Sequence, residues 1–352
     1  MDRTQKILAG LDLERASCLE IGALDRPIIP PTSPRVFYVD HLDTQGLREK
    51  YRRDASVNVD RIVDVGGVWG EKTLLQAAAP VAPVDFIVAS HVIEHVPDLI
   101  GWLQELASVL KEGGEVRLAI PDRRFTFDYL RRESKLPEVL EAFVSRARVP
   151  SAGRVLDAIV YYREVDRNAA WDNQIDPAKL PGGHPVSAAT DLAKDILSKG
   201  TYHDVHCWVF TPGTFCELML GLADNGYLEF ECASVQDTER DSFEFFCTLR
   251  KTSDARHVIA SWQSAVQERA DAAAMSEAER ERRQRQLQDR ITVLEFEVAR
   301  LQEQRLQSAA RQRETIAELE GMRRTRIWRW SAPLRALAGW GREFDRRRRG
   351  KA

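Results

Sequence analysis

The sequence lacks any apolar run close to the roughly 20 residues that a membrane-spanning helix needs. Its opening residues, MDRTQKILAGLDLERAS, carry charges too closely spaced for the apolar segment of a secretion signal. We therefore expect neither a spanning helix nor a leader, and the sequence predicts a cytoplasmic protein.

Cysteine is scarce and has no metal-binding spacing. The chain holds an odd number of cysteines, without a C-x-x-C pair: Cys18, Cys207, Cys216, Cys232 and Cys247. This pattern favours reduced thiols in the cytosol and argues against a zinc cage.

Net charge is also small, at −3, but it is unevenly distributed. Residues 321–352 contain eleven Arg and Lys against Glu343 and Asp345, so this tail carries +9 and the remainder −12. A body with that excess of acid is not suited to hold nucleic acid.

Residues 84–122 predict a strand, a helix and a second strand. The apolar run 86–89 is followed by Ser90 and His91. Leucines recur at helical spacing from Leu99 to Leu110 before Gly113-Gly114, and the run 116–120 ends at Pro121-Asp122. Such a βαβ unit forms a parallel strand pair whose ligands bind beyond the carboxyl ends of the strands. We therefore expect Ser90, His91 and Asp122 on one edge.

Further strands are predicted on both sides of this unit. The run 18–21 precedes a turn with Gly22 as its only glycine, and strands follow at 36–40 and 60–65. A G-x-G-x-x-G dinucleotide motif is absent, which argues against an NAD enzyme. Segments 227–235 and 243–250 predict a closing strand pair.

The turn and helix after residue 89 resemble those of class I S-adenosylmethionine-dependent methyltransferases. The resemblance lies in Ser90-His91-Val92-Ile93-Glu94-His95, the leucine helix and Gly113-Gly114-Glu115-Val116. It implies a Rossmann-like α/β fold with a seven-stranded sheet in residues 1–251 and S-adenosylmethionine as cofactor. The segment 203–210 with Thr211-Pro212 resembles methyltransferases of bacterial surface-polysaccharide assembly.

The cofactor residues follow partly from the resemblance. A carboxylate such as Asp40, at the end of the second strand, can accept hydrogen bonds from two ribose hydroxyls, although a turn or capping role is equally open. The resemblance assigns Asp64 to the adenine amino group and His91 to the cofactor pocket. The predicted cofactor-binding residues are Glu20, Gly22, Asp40, Asp64, Ser90 and His91.

The turn His91-Val92-Ile93-Glu94-His95 also matches the H-x-x-E-H pattern of zinc peptidases. That chemistry needs both histidines on one face of a sustained helix, and Pro97 disfavours helix at this point. We predict no metal site here and expect Glu94 and His95 to orient the turn. Metal assistance by Asp122 together with the later histidines stays open.

The predicted acceptor chemistry is transfer of a methyl group to a sugar hydroxyl. Histidine is the natural base near neutral pH, so His203 or His206 is the expected base, with Asp122 holding the acceptor or the histidine. Residues 123–200 form an insertion that is either a substrate lid or a helical decoration. A small metabolite or quinone-like lipid as acceptor, or a non-catalytic scaffold that recruits glycosyltransferases, are the alternatives.

The C-terminal part predicts a long helix with two interaction surfaces. Residues 254–320 lack proline and glycine, and a heptad seam of apolar residues indicates a self-associating coiled coil: Leu287, Ile291, Leu294, Val298 and Leu301. The alternative is a single charged helix folded back on the body. The tail 321–352 mixes arginine with tryptophan, which suits an anionic membrane surface or a partner such as a glycosyltransferase.

Overall fold

The computed structural model describes residues 2–70, 72–275 and 277–324. Seven strands form one sheet in the order β3-β2-β1-β4-β5-β7-β6. Their bounds are β1 Cys18–Ile21, β2 Val36–Asp40, β3 Gly67–Val68, β4 Val84–Ser90, β5 Leu110–Pro121, β6 Phe230–Gln236 and β7 Glu244–Lys251. Neighbouring strands from β3 to β5 are parallel, whereas β7 is antiparallel to both β5 and β6. The predicted seven-stranded α/β sheet with a closing antiparallel pair is confirmed.

The helices surround this sheet. They are α1 Arg3–Ile7, α2 Thr44–Tyr51, α3 Leu74–Ala77, α4 Leu99–Val109, α5 Leu136–Val144, α6 Ala152–Val160, α7 Arg167–Trp171, α8 Val186–Lys199, α9 Pro212–Asp224, α10 Ala255–Met275 and α11 Glu277–Arg324. The leucine helix α4 begins because the Asp98 side chain accepts a hydrogen bond from the Gly101 amide at 2.9 Å. Its apolar face is fully buried in the main core, which it shares with β4 and β5.

Two predicted boundaries differ from the structure. The third strand, predicted at 60–65, is the two-residue β3 at Gly67–Val68, and Val59–Arg61 is a 3₁₀ turn capped by Asn58. Exposed charges at Arg61 and Asp64 suit a loop better than an interior strand. The leucine helix also ends at Val109 rather than at Gly113-Gly114, because Leu110 already pairs with Val84 in the sheet.

The insertion at 123–200 contains α5 to α8, and one buried arginine connects it to the rest of the body. Arg131 is fully buried and donates to Asp128 at 2.7 Å, to Asp157 on α6 at 2.7 Å and to the carbonyl of His206 at 2.9 Å. The segment around His206 is therefore attached to the first residues of the insertion.

Helix α10 belongs to the first compact unit, which spans Met1–Gln284. Val258, Trp262 and Ala265 on this helix are buried in the main core, and the Trp262 indole donates to the carbonyl of Phe230 on β6 at 2.8 Å. The packed body thus continues past residue 251, where the sequence placed the end of the domain.

The second unit spans Arg285–Ala352 and is described up to Arg324 as the continuing helix α11. The predicted seam residues Ile291, Leu294, Val298 and Leu301 are 48–56% exposed in the single chain. The long helix is confirmed, and its self-association stays a prediction. None of the described helices is both long enough and apolar enough to cross a membrane. The predicted tail lies, from residue 325 onward, outside the described residues.

Candidate functional site at the carboxyl edge of the sheet

The parallel strands bring most of the predicted site residues to one edge. Gly22 follows β1, Asp40 ends β2, Ser90 and His91 lie at the end of β4, and Asp122 follows β5. Because β1, β2, β4 and β5 run parallel in one sheet, these carboxyl ends meet at the same side. The expected common edge is present.

The turn after β1 requires its single glycine. Gly22 has a φ of +71°, and a Cβ atom built there would lie 3.0 Å from Cγ2 of Val92 in the turn after β4. A side chain would therefore be strained by its backbone conformation and crowded by its neighbour. The turns after β1 and β4 therefore lie next to each other at this edge.

Asp40 is nearly buried at the end of β2, and its interactions use one carboxylate oxygen. Oδ1 accepts the His41 amide at 2.7 Å and lies 2.5 Å from Nδ1 of the same histidine, whose Nε2 is 2.9 Å from Nζ of Lys50. The contacts of Asp40 in the described chain leave Oδ2 for a ligand. The position and chemistry of Asp40 fit the predicted ribose role.

Both carboxylate oxygens of Glu20 are bound within the protein, and its predicted role at the cofactor stays a prediction. Its side chain is buried and accepts the backbone amides of Ile28 at 2.7 Å and Ile29 at 2.8 Å. Burial raises the pKa of Glu20 to about 7, although the two amides act in the opposite direction. Glu20 therefore holds the loop at Ile28 and Ile29 in place.

Asp64 is exposed in the loop that precedes β3. The loop is fixed by its backbone, because the Val63 amide donates to Leu24 and the Gly66 amide to Tyr38. The structure records no hydrogen bond or ion pair that links Asp64 to Asp40 among the described residues.

Ser90 and His91 are held by residues that the sequence analysis did not select. Arg3 on α1 donates to the hydroxyl of Ser90 and to both oxygens of Glu244, and Nε2 of His91 lies 2.8 Å from Glu244. Burial alone would lower the pKa of His91, but the carboxylates of Glu244 and Glu94 raise it to about 9. His91 also has a φ of +55°, a left-handed conformation that is uncommon for a non-glycine residue.

Glu94, in the same turn, lies beside its neighbour His95 and beside His206 from the segment before α9. We call Glu94, His95 and His206 the Glu94 cluster; one possible ligand atom from each lies within 4.8 Å of the others. Nε2 of His95 is 3.9 Å and Nε2 of His206 is 4.0 Å from Oε1 of Glu94. Burial alone would raise the pKa of Glu94, but the nearby histidines, His91 above all, lower it.

Each histidine of the Glu94 cluster has a carboxylate behind it. Nδ1 of His206 lies 2.5 Å from Asp128, and Nδ1 of His95 lies 2.8 Å from Asp204. His95 holds the pKa of Asp204 at about 2. Sequence spacing gave no indication of the Asp128 contact, because 78 residues separate it from His206.

The two histidines predicted as the base have separate environments. His206 is buried in the Glu94 cluster, whereas His203 pairs through Nε2 with Asp195 on α8 at 3.0 Å. Asp122 orients neither of them. It is buried and binds the amide and guanidinium of Arg124, and accepts the hydroxyl of Thr238 at 2.7 Å. The predicted role of Asp122 as their partner therefore does not agree with the structure.

The fold is a doubly wound α/β fold, a class of protein whose ligands bind at the carboxyl edge of the sheet. A family model described as a methyltransferase domain matches residues 2–222, which is more than half of the chain. The protein belongs to this family. The predictions of a methyltransferase enzyme and of S-adenosylmethionine as its cofactor are confirmed.

No curated protein matches the chain. Solved structures include a proposed S-adenosylmethionine-dependent methyltransferase from Listeria monocytogenes, at 13% identity and TM-score 0.36, covering 71% of this chain and 96% of that one. They also include a methyltransferase of the same cofactor class from Aquifex aeolicus, at 11% and 0.32, covering 71% and 90%. A proposed zinc-dependent alcohol dehydrogenase from Rhodobacter sphaeroides matches at 14% and 0.40, covering 72% and 91%.

Proposed function

We propose that the protein transfers the methyl group of S-adenosylmethionine to a hydroxyl oxygen of a sugar, in a bacterial glycan or its lipid-linked precursor. The observation that supports this most is the Glu94 cluster, which places His206 beside Glu94 and His95 of the turn after β4; Val92 of that turn lies next to the predicted cofactor turn at Gly22. An oxygen acceptor must lose a proton, so its enzyme needs such groups close to the methyl donor.

The chain's own residues divide between two tasks. Gly22 allows the β1 turn to adopt its left-handed conformation against Val92 at the edge where the cofactor would bind, and Oδ2 of Asp40 suits its ribose. When bound, S-adenosylmethionine supplies an electrophilic methyl group, and displacement from it depends on holding the acceptor close and aligned. We place activation of the acceptor hydroxyl at the Glu94 cluster, which includes His206 of the two predicted histidines.

Aromatic rings next to this cluster suit a sugar. The ring of Phe127, which is 38% exposed, lies 4.6 Å from that of His206 and 5.3 Å from that of Tyr162, and Tyr162 lies 5.2 Å from His184. Phe127, Tyr162 and His184 all belong to the insertion at 123–200. Flat rings beside polar groups offer an apolar face to the C–H side of a sugar and hydrogen bonds to its hydroxyls. We propose that the insertion forms the acceptor side of the site.

The acceptor proposal is tested with a radiolabelled methyl donor and a panel of bacterial glycans, with the methylated atom identified by mass spectrometry. We expect O-methylation of a sugar, and we expect His206→Ala to reduce turnover by about 10²–10⁴. His203→Ala, whose partner is Asp195, is the matched control and should stay within about threefold. Methylation of nitrogen or carbon, or equal loss in both variants, contradicts the proposal.

Cofactor binding is measured separately by calorimetry. We expect Asp40→Ala to weaken S-adenosylmethionine binding by about tenfold or more, because a pair of ribose hydrogen bonds to a charged acceptor is lost. Asp43→Ala, which removes a helix-capping carboxylate three residues later, is the control. Unchanged affinity in Asp40→Ala removes the ribose assignment.

We further propose that α11 self-associates through its exposed seam and that the tail holds the enzyme at the inner face of the cell membrane or at a glycosyltransferase. The seam residues that support this are half-exposed in the single chain. Light scattering should show an oligomer that Leu294→Glu reduces to a monomer. Deletion of residues 325–352 should abolish binding to anionic liposomes.

A further inference from the structure

Glu94 occupies an unusual position for a carboxylate. The side chain is fully buried, and neither of its oxygens has a hydrogen-bond partner among the described residues. A buried carboxylate without hydrogen bonds is costly, and the nearest side-chain nitrogen, Nδ1 of His91 at 3.3 Å, lies on the side of Oε1 only and makes no hydrogen bond to it. Because His91 is shared with Glu244, the position of Glu94 points to a further group that binds its carboxylate.

The surrounding histidines indicate the nature of that group. Both Nε2 atoms lie too far from Oε1 of Glu94 for a hydrogen bond, at 3.9 Å for His95 and 4.0 Å for His206. Ligand atoms about 2.1 Å from a shared tetrahedral metal ion lie about 3.4 Å apart. The two distances to Oε1 exceed this value by about half an ångström, and the separations among the three ligand atoms, which reach up to 4.8 Å, exceed it by at most about 1.4 Å, so small side-chain movements bring the three groups to one ion.

The other ring nitrogens support the same interpretation. Nδ1 of each histidine faces a carboxylate, Asp204 for His95 and Asp128 for His206, so that Nε2 of both rings is directed towards Glu94. Metal-binding histidines commonly have this second carboxylate, which fixes ring orientation and increases the basicity of the ligating nitrogen. Asp128 is itself held by the buried Arg131 at 2.7 Å, so this support is rigid.

His91 also lies next to Glu94, but on a different side from His95 and His206. Its Nδ1 lies 3.3 Å from Oε1 of Glu94, while its Nε2 lies 2.8 Å from Glu244. His91 thus bridges two carboxylates and offsets part of their charge. The cation position is on the side of Glu94 that faces His95 and His206.

We propose that Glu94, His95 and His206 form a binding site for a divalent first-row transition-metal ion such as Zn²⁺. Two imidazole nitrogens and one carboxylate oxygen favour such an ion over Mg²⁺ or Ca²⁺ and leave coordination positions open. The site differs from that of H-x-x-E-H peptidases, because residues 91–95 form a turn rather than a helix and Glu94 is a ligand.

The catalytic consequence rests on the proposed function. A metal ion at an open site polarises a bound hydroxyl and lowers its pKa, so the acceptor would release its proton to solvent more readily. His206 would then act as a ligand, with Asp128 as a positioning residue.

The binding test uses the full-length protein without cofactor or acceptor. After dialysis against a chelator, the protein is titrated with Co²⁺, monitored by visible absorption, and with Zn²⁺, monitored by calorimetry. We expect one ion per chain, a cobalt spectrum with nitrogen ligation, and a rise in Tm on adding Zn²⁺.

Four variants locate the site. Glu94→Gln, which keeps the side-chain volume, and His206→Ala should each weaken Zn²⁺ binding by about a hundredfold or more, and Asp128→Asn by about 10–100-fold. His203→Ala, the matched histidine outside the cluster, should bind as the wild type does. Circular dichroism confirms that each variant is folded, and His95→Ala replaces any variant that is not. Wild-type binding that Glu94→Gln and His206→Ala leave unchanged, or absence of bound Co²⁺ at millimolar concentration, overturns the proposal.

The two proposals fail in distinguishable ways. If chelator-treated enzyme methylates a sugar hydroxyl at the full rate and binds no Co²⁺, the metal site is wrong and the proposed acceptor stands. If one ion binds at the Glu94 cluster but no glycan is methylated, the metal site stands and the proposed acceptor is wrong.

Discussion

Helix α10 is a structural part of the catalytic body, and replacing Trp262 by alanine tests this. The indole is fully buried, donates to the Phe230 carbonyl and packs against the ring of Phe215 at 6.1 Å. Removal of a buried tryptophan leaves a large cavity and typically costs 3–5 kcal/mol, and here one hydrogen bond is lost as well. We expect a loss of about 4 kcal/mol and a fall in Tm of roughly 8–16 °C.

Urea denaturation of the full chain, monitored by far-ultraviolet circular dichroism, measures this change. Trp262→Phe keeps most of the ring volume but loses the indole donor, so it should cost about 1–2 kcal/mol. Gln263→Ala, at the next and exposed position of the same helix, should change stability by less than about 0.5 kcal/mol.

Truncation gives an independent measurement of the same packing. A chain ending at residue 251 uncovers the buried faces of Phe215 and Phe230 and should be insoluble or strongly destabilised, whereas one ending at residue 284 should fold. A Trp262→Ala cost below 1 kcal/mol, or a cooperative 1–251 fragment of wild-type stability, would refute the reasoning.

Two further predictions concern the β1 strand and its turn. Gly22→Ala should lower the free energy of unfolding by about 1–2 kcal/mol or more in urea denaturation, because an L-residue is strained at a φ of +71°. Gly213→Ala, with open space around it in α9, should be neutral or stabilising. Equal effects of the two substitutions would contradict this prediction. Glu20, with its pKa raised from 4.5 to about 7 on folding, favours the folded state most below about pH 4.5 and loses this contribution, roughly 3 kcal/mol, as the pH rises to about 7. Glu20→Gln should flatten the dependence of the unfolding free energy on pH between about pH 4.5 and 7. Glu14→Gln replaces an exposed acid and should leave that dependence unchanged. A pH dependence that persists in Glu20→Gln would show that another group is responsible.

The central βαβ unit was predictable because its signals are local. Buried strands of apolar residues and leucines at helical spacing are patterns of neighbouring residues, and Asp98 is a capping residue that can be recognised in place. The third strand was misplaced because its pairing involves only two residues, too few to leave a pattern.

The site was predictable only in part, for a related reason. Asp40, Gly22 and the turn 90–95 follow strands, so their common edge follows from topology alone. The carboxylates behind the histidines could not be found this way, since Glu244 reaches His91 across 153 residues and Asp128 reaches His206 across 78. Whether Glu20 faces a ligand or its own loop depends on the path of residues 28–29, which no periodicity encodes.

The attachment of the insertion has a practical consequence for engineering acceptor preference. Arg131 binds the carbonyl of His206, and Ser134 exchanges hydrogen bonds with the backbone of Val209 at 2.9 and 3.0 Å. A chimaera that swaps the whole of residues 123–200 would discard one half of these contacts and misplace His206. Grafts that start after Ser134 and finish before Asp204 would exchange Tyr162 and His184 while keeping Asp128 and Asp204 behind the cluster histidines. Such grafts must retain Asp157, because it pairs with the buried Arg131.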